Sequence, residues 1–338
     1  MSCDFARAVA LLQAGELVAF PTETVYGLGA DAANPDAVAR IFAAKGRPAD
    51  HPLIVHLAGD GYLERWARDI PKSAWELAEA FCPGPLTMIL PRGPETPYAV
   101  TGGQETVGVR VPAHPIALEL LREYARAGGG RNGMSGIAAP SANKFGRISP
   151  TEAAHVREEL GDAVALILDG GRSNVGIEST IIDLSRPEQP PRILRPGHVT
   201  PEQIAEVIGA QPEFAHRQTA ANTPRVSGSL DGHYAPTTPM RIVPAEQLAA
   251  YLANAARDSS ATVGLLLRGA PEPRAEARIR IRRLPDSPEG FARGLYATLR
   301  ELDQAGCDQI LVEALPHTPD WTAVADRLRR AEHGSGNR

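Results

Sequence analysis

Lysine is nearly absent from this chain. Of its 35 basic residues only Lys45, Lys72 and Lys144 are lysines, so arginine supplies positive charge almost wherever charge alone suffices. An ammonium is a compact point charge with rotatable donors, unlike the planar guanidinium fork, so a retained lysine points to a site that needs that geometry. Cysteine is scarce too. Cys3, Cys82 and Cys307 are odd in number, far apart and without metal-ligand spacing, which excludes a disulfide frame and a zinc site and implies a reducing, cytoplasmic setting. No apolar run approaches the length of a membrane span. The opening MSCDFARAVALLQ lacks the regions of a signal peptide and reads as a short amphipathic helix. Positive charge is not in excess: a net charge of −5 argues against a protein that coats nucleic acid. A local basic cavity is still allowed.

What is present is a long globular chain. At 338 residues, 43% of them hydrophobic, it exceeds an ordinary single core. Residues 4–209 alternate apolar strands (17–20, 53–57, 86–90, 106–111, 164–168, 179–184, 192–194) with amphipathic helices (36–44, 72–81, 115–127, 151–160, 201–208). Some successive strands lack a helical crossover, so the α/β sheet is expected to be mixed. The glycine-rich stretch Gly128 to Gly133 reads as a flexible surface insertion. Periodicity disappears between about 210 and 239, where Pro, Gly, Ser and Thr dominate. A second α/β unit follows, with strands at 240–243, 262–267, 279–284 and 309–313 and helices at 245–256, 289–305 and 322–330. It is Rossmann-like in alternation but carries no glycine-rich dinucleotide fingerprint. The expected division is 1–210, a linker at 211–239, and 240–338.

The densest chemistry lies near the start. In FPTETVYGLG, residues 20 to 29, a strand-like run opens into a proline, three hydroxyls (Thr22, Thr24, Tyr26), the carboxylate of Glu23 and two glycines, as a buried strand edge does where it meets a polar pocket. Lys45-Gly46-Arg47-Pro48 then offers an ammonium and a guanidinium two residues apart. Pro48 biases Arg47 toward extended geometry, so both cations are expected on a constrained loop, outside any helix. Such a loop suits a polyanion.

Eight segments in order, namely PTETVYGLG, KGRP, PLIVH (52–56), GVRVP (108–112), APSAN (139–143), GIEST (176–180), ILRPG (193–197) and HYAP (233–236), resemble the YrdC/Sua5 family in its longer Sua5 form, the threonylcarbamoyl-AMP synthases. The resemblance spans the chain and implies a YrdC-like mixed twisted sheet followed by a smaller Rossmann-like domain. It also implies a reaction: L-threonine, bicarbonate or CO2, and ATP join into threonylcarbamoyl-AMP with release of pyrophosphate. The product would pass to a tRNA threonylcarbamoyl transferase for threonylcarbamoyladenosine formation.

Roles follow from the same resemblance. Lys45 and Arg47 take the catalytic, charge-neutralising place. Thr24, His56, Arg110, Ala139 and Ser179 take the threonine contacts, with the Arg110 fork suited to the carboxylate. Arg47, His51, Thr106, Ser141, Asn143, Ser149, Arg195 and Tyr234 take the ATP contacts. No side chain is an obvious nucleophile or general base, so catalysis reads as positioning and electrostatics with Mg2+ on the phosphates. The protein ligands of that metal are unassigned; Glu23 fits either a metal or orienting role or an ion pair with Lys45. Tyr234, in an otherwise spacer-like stretch, suggests that residues 227–236 close as a lid. Three departures from the family pattern, the glycine-rich stretch, Thr237 and Asp326, lie outside the segments given chemistry. A hydrogenase-maturation carbamoyl transferase would need zinc-finger cysteines that are missing. The alternative of another class is a noncatalytic module with a basic concave surface contacting double-stranded RNA.

Overall fold

Ten short strands make one mixed sheet, and their apolar alternation decides which side becomes core. A computed structural model describes residues 2–215, 223–255, 261–269 and 278–336; residues 216–222 of the expected linker lie outside them. By contact the chain forms two units. The first comprises Met1–Phe145, Pro150–Asn174 and Glu178–Ser229, the second Leu230–Arg338 with the short stretches Gly146–Ser149 and Val175–Ile177.

The strands of the first unit are β1 (Val18–Phe20), β2 (Gly27–Asp31), β3 (Ile54–His56), β4 (Leu86–Pro91), β5 (Thr106–Arg110), β6 (Ile137–Ala138), β7 (Leu166–Ile167), β8 (Thr180–Asp183), β9 (Arg192–Arg195) and β10 (Glu213–Phe214). They lie in the order β10-β9-β8-β4-β5-β3-β6-β2-β1-β7. The helices are α1 (Ser2–Gln13), α2 (Pro35–Lys45), α3 (Leu63–Trp66), α4 (Lys72–Phe81), α5 (Tyr98–Thr101), α6 (Pro115–Arg126), α7 (Ala153–Leu160) and α8 (Pro201–Ile208). Local chemistry sets their ends. Asn34 caps α2 by accepting from Asp36 N–H at 3.1 Å, and Pro35 supplies the preset φ of the first turn. Thr200 and Gln203 form a capping box on α8, which stops at a left-handed Gly209.

The sheet is mixed, as its missing crossovers imply: β3 runs parallel to β5, while β5 is antiparallel to β4. Three strands escape the sequence pattern. β2 reads GLGAD, and its glycines weaken a strand signal; yet a Cβ on Gly29 would lie 2.8 Å from the Phe20 ring and 2.9 Å from Ile137, so packing requires the glycine. β6 and β10 are two residues each. The glycine-rich stretch is also not a loose insertion. Gly129 lies under the Tyr124 ring, the Gly130 N–H donates to Tyr124 Oη at 3.0 Å, and Met134 and Ser135 are buried.

The second unit holds the parallel strands β11 (Met240–Val243), β12 (Val263–Leu267), β13 (Ile279–Arg283) and β14 (Gln309–Glu313) in the order β11-β14-β12-β13. Helices α9 (Leu248–Ala255), α10 (Pro288–Gln304) and α11 (Thr322–Gly334) accompany them. The helix expected from 245 starts instead as a 3-10 turn at Ala245–Gln247. Val243, Leu265, Leu267 and Leu311 are the center of the core.

Candidate active site

Strand pairing brings the predicted residues together. On β3 the pleat sends Val55 into the main core and Ile54 and His56 to the other face. Register pairs Ile54 with Gly108 and His56 with Arg110, so Thr106, Gly108 and Arg110 share that face while Val107 and Val109 enter the core. Pairing extends the face to Thr87 and Ile89 on β4, to Ser179 and Ile181 at β8, and to Arg195, the partner of Ile181 on β9. Ala139 continues it on the other side, its N–H donating to Ile54 O at 3.0 Å. Beyond Ala139, Phe20 and Ile137 are packed by residues of α1 and α6.

One end of the site is cationic. Lys45 is the last residue of α2 and not a loop residue, because Gly46 in the left-handed region (φ 62°) closes the helix one residue later than expected. The helix C-terminus carries partial negative charge, which favours a cation there. The following loop clamps it: Phe145 N–H donates to Lys45 O at 2.9 Å, and Lys144 Nζ donates to Ala44 O at 2.8 Å. Lys45 Nζ in turn donates to Ser141 O at 2.6 Å and to Asn143 O. Burial first, then the nearby Arg47 charge, holds the Lys45 pKa well below the usual lysine range. Arg47 donates to Pro52 O at 2.8 Å and lies over Phe145, whose ring meets His51 edge-on. Burial, then Arg47, lowers the His51 pKa.

A second group surrounds Arg110. Its Nη2 donates to Glu23 Oε1 at 2.5 Å and its Nε to Gly84 O at 3.2 Å, while Ala113 N–H donates to Glu23 Oε2 at 3.0 Å. The pairing of Glu23 with Lys45 is thereby corrected: Glu23 faces Arg110, and Lys45 is held by carbonyls. His56 Nδ1 lies 3.3 Å from Ile54 O. Burial, then Arg110, pushes the His56 pKa down to about 3, so the ring is neutral. Thr24 is fully buried, its hydroxyl 2.8 Å from that of Thr22.

At the third corner Arg195 donates from Nε to Ser179 O at 3.0 Å and from Nη2 to Ser179 Oγ at 3.1 Å. The Ser179 hydroxyl also meets that of Thr87 at 2.8 Å. Close approach makes this possible, since a Cβ on Gly197 would lie 2.4 Å from Thr180 N.

Residues 225 and 226, read from sequence as plain linker, and Ser227, the first residue of the expected lid, complete the arrangement. Val226 packs on Ile54, Ile89 and Ile181. Gln104 grips the Arg225 backbone from both sides, accepting from its N–H at 2.7 Å and donating to its carbonyl at 3.1 Å. Arg225 donates to Gly102 O and Asp50 O, and Ser227 meets both Arg47 and Arg195. The signal was an isolated apolar residue in a polar stretch. Ser149 and Tyr234, the remaining predicted contacts, belong to the second unit. There Tyr234, at φ 62° and 1% exposed, stacks on Tyr296 and lies beneath Arg327. Among the described residues no three His, Cys, Asp or Glu side chains gather to hold a metal.

Known proteins carry the same layout. A family model described as "Telomere recombination", for Sua5, YciO and YrdC proteins, matches residues 10–197, and the threonylcarbamoyl-AMP synthase C-terminal domain matches 199–332. The chain belongs to the Sua5-type threonylcarbamoyl-AMP synthase family. The family's synthase from Pyrococcus abyssi is 41% identical, covering 96% of this chain and 92% of the relative; that from Bacillus subtilis is 41% identical over 98% and 93%. The solved structure of P. abyssi Sua5 complexed with L-threonine superposes with a TM-score of 0.86 at 39% identity, covering 98% of this chain and 94% of that one.

Proposed function

We propose that this chain makes threonylcarbamoyl-AMP from L-threonine, bicarbonate or CO2, and ATP, releasing pyrophosphate. Its near full-length similarity to threonylcarbamoyl-AMP synthases supports this reading over a noncatalytic RNA-binding module. The observation that carries the chemistry is the sheet face on which His56, Thr106, Arg110, Ala139 and Ser179 align, with Arg195 bonded to Ser179.

The substrates need different things from that face. Arg110, buried and fixed, takes the threonine carboxylate; the hydroxyls of Thr24 and Ser179 meet its polar groups, and neutral His56 adds a hydrogen-bonding ring without repelling its ammonium. The ammonium first loses a proton to solvent, the free amine adds to CO2 and releases a second proton, and the resulting carbamate oxygen attacks the α-phosphorus of ATP as the bond to pyrophosphate breaks. Two anions must meet, so the cations decide the rate. Lys45, Arg47 and Arg195 face the phosphates, where a triphosphate's negative charge favours the protonated form of Lys45. His51, Thr106, Ser141 and Asn143 line the nucleotide side. Ser149 and Tyr234, in the second unit, receive no step here.

Mg2+ accompanies ATP in this reading and supplies charge neutralisation on the phosphates. Glu23 has both oxygens on Arg110 and Ala113, so it would not be the residue that holds the ion. The acyl adenylate then goes to a tRNA-modifying transferase in the cytoplasm. No helix among the described residues is long and apolar enough to cross a membrane.

The test is pyrophosphate release by the purified full chain with Mg2+, ATP, bicarbonate and L-threonine, each omitted in turn. Release should require all of them. Equal release without threonine would sink the proposal.

A further inference from the structure

Glu23 and Arg110 are 8% and 5% exposed, respectively, and breaking such a buried pair strands a charge. Glu23 lies in the turn between β1 and β2, stiffened by the Thr22 hydroxyl, which accepts the N–H groups of Thr24 and Val25 and donates to Val25 O at 2.6 Å. Arg110 ends β5, and Ala113 follows in the loop toward α6. One carboxylate therefore ties the β1–β2 turn to the end of β5 and the loop just after it, 87 and 90 positions away in sequence. The consequence falls on the guanidinium: Nη2 is on Glu23 and Nε on Gly84 O. Among the described residues Arg110 makes no other hydrogen bond, so Nη1 is left for a ligand, in a direction set by the other two nitrogens.

We infer that Glu23 is a positioning residue for amino-acid capture: it aims the Arg110 fork at an α-carboxylate and holds Thr24, its chain neighbour, in register with that fork. The inference rests on the proposed role of Arg110 as the carboxylate anchor. Glu23 does not touch the substrate in this role; it removes the fork's freedom before the ligand arrives, which lowers the entropic cost of binding. Glutamine cannot replace it, because one arm of the amide would present N–H groups to a donor, either Arg110 Nη2 or Ala113 N–H. Aspartate keeps the charge but is one methylene too short to reach both donors at once.

The experiment compares Glu23→Gln, Glu23→Asp and Arg110→Ala in the full chain, by calorimetric titration with L-threonine alone and by steady-state kinetics in threonine and in ATP. Glu23→Gln should raise the threonine Kd and KM on the order of tenfold or more while leaving the ATP KM within about twofold. Glu23→Asp should give a smaller rise with the same selectivity. A role confined to stability would lower the melting temperature and leave both KM values in place. A folded Glu23→Gln enzyme with unchanged threonine KM, or with equal losses for both substrates, overturns the inference. Should Glu23→Gln not fold, the same split read on Glu23→Asp decides. If Arg110→Ala itself leaves threonine binding unchanged, the anchor reading falls and this inference with it; if only Arg110→Ala weakens threonine, the inference alone falls.

Discussion

Arg195 donates from Nη1 to the backbone carbonyl of Ser227 at 2.9 Å. A neutral oxygen thus stands against a buried guanidinium at a place that suits a phosphate oxygen. Arg47 approaches the Ser227 hydroxyl at 3.4 Å, so two cations from distant parts of the first unit converge on one residue of the linker.

The convergence depends on residues 225–227 staying docked. Gln104→Ala removes both bonds to the Arg225 backbone, at about 1 kcal/mol of local stability each, and Val226→Asp sets a carboxylate among isoleucines. Both should speed amide exchange at residues 223–229, the second more than the first, with little change elsewhere in the first unit. Exchange rates at 223–229 that match the parent chain would show that the clip holds nothing.

The cations should separate by substrate. Arg47→Ala and Arg195→Ala are expected to impair ATP use by about 1.5–3 kcal/mol for each lost charged hydrogen bond, with threonine affinity much less affected. Initial rates over a grid of both substrates read the difference. Parallel losses in threonine and ATP would contradict the division.

His56 predicts an acid limb. Its folded pKa of about 3 lies below the ordinary value of 6.5, so the unfolded chain takes up a proton that the folded chain refuses. Its contribution is complete above about pH 6.5 and is lost as pH falls toward about 3, at up to about 1.4 kcal/mol per pH unit. Urea unfolding at pH 7, 6 and 5 should show the gap between the parent chain and His56→Asn narrowing as acid is added. Superimposable pH dependences would mean that the ring is not held neutral.

Gly197→Ala tests the close approach beside Arg195. The new Cβ would meet the backbone of Ser179 and Thr180, and backbone cannot yield as a flexible side chain does. A loss of about 1–3 kcal/mol in stability is expected, together with weaker ATP use as Arg195 shifts from Ser179. A variant as stable and active as the parent would place slack where the structure has none.

Capped and amphipathic pieces were legible in sequence. Bounds read for Lys72–Phe81, Pro201–Ile208, Met240–Val243 and Gln309–Glu313 match the structure, because prolines, caps and apolar runs mark them locally. β2 was missed because its glycines answer to Phe20 and Ile137, which only the fold brings near. The motifs gave residue types but not pairings. Glu23 meets Arg110, 87 positions away, and not the nearer Lys45. Tyr234 drew notice as an aromatic in a spacer-like stretch, but its stacking on Tyr296 and its place beneath Arg327 join residues too far apart in sequence to be read from it.

The pleat of β5 has an evolutionary reading. Thr106, Gly108 and Arg110 lie on the face of the candidate site, whereas Val107 and Val109 are core, so adjacent positions answer to different selective pressures. A saturation scan scored separately for abundance and turnover should oscillate along this strand. Substitutions at 107 and 109 would deplete the protein itself. Those at 106 would leave it plentiful and idle, those at 110 would lower abundance and turnover together because Glu23 loses its buried partner, and at 108 each added carbon would press on Ile89, Ile54 and Thr87.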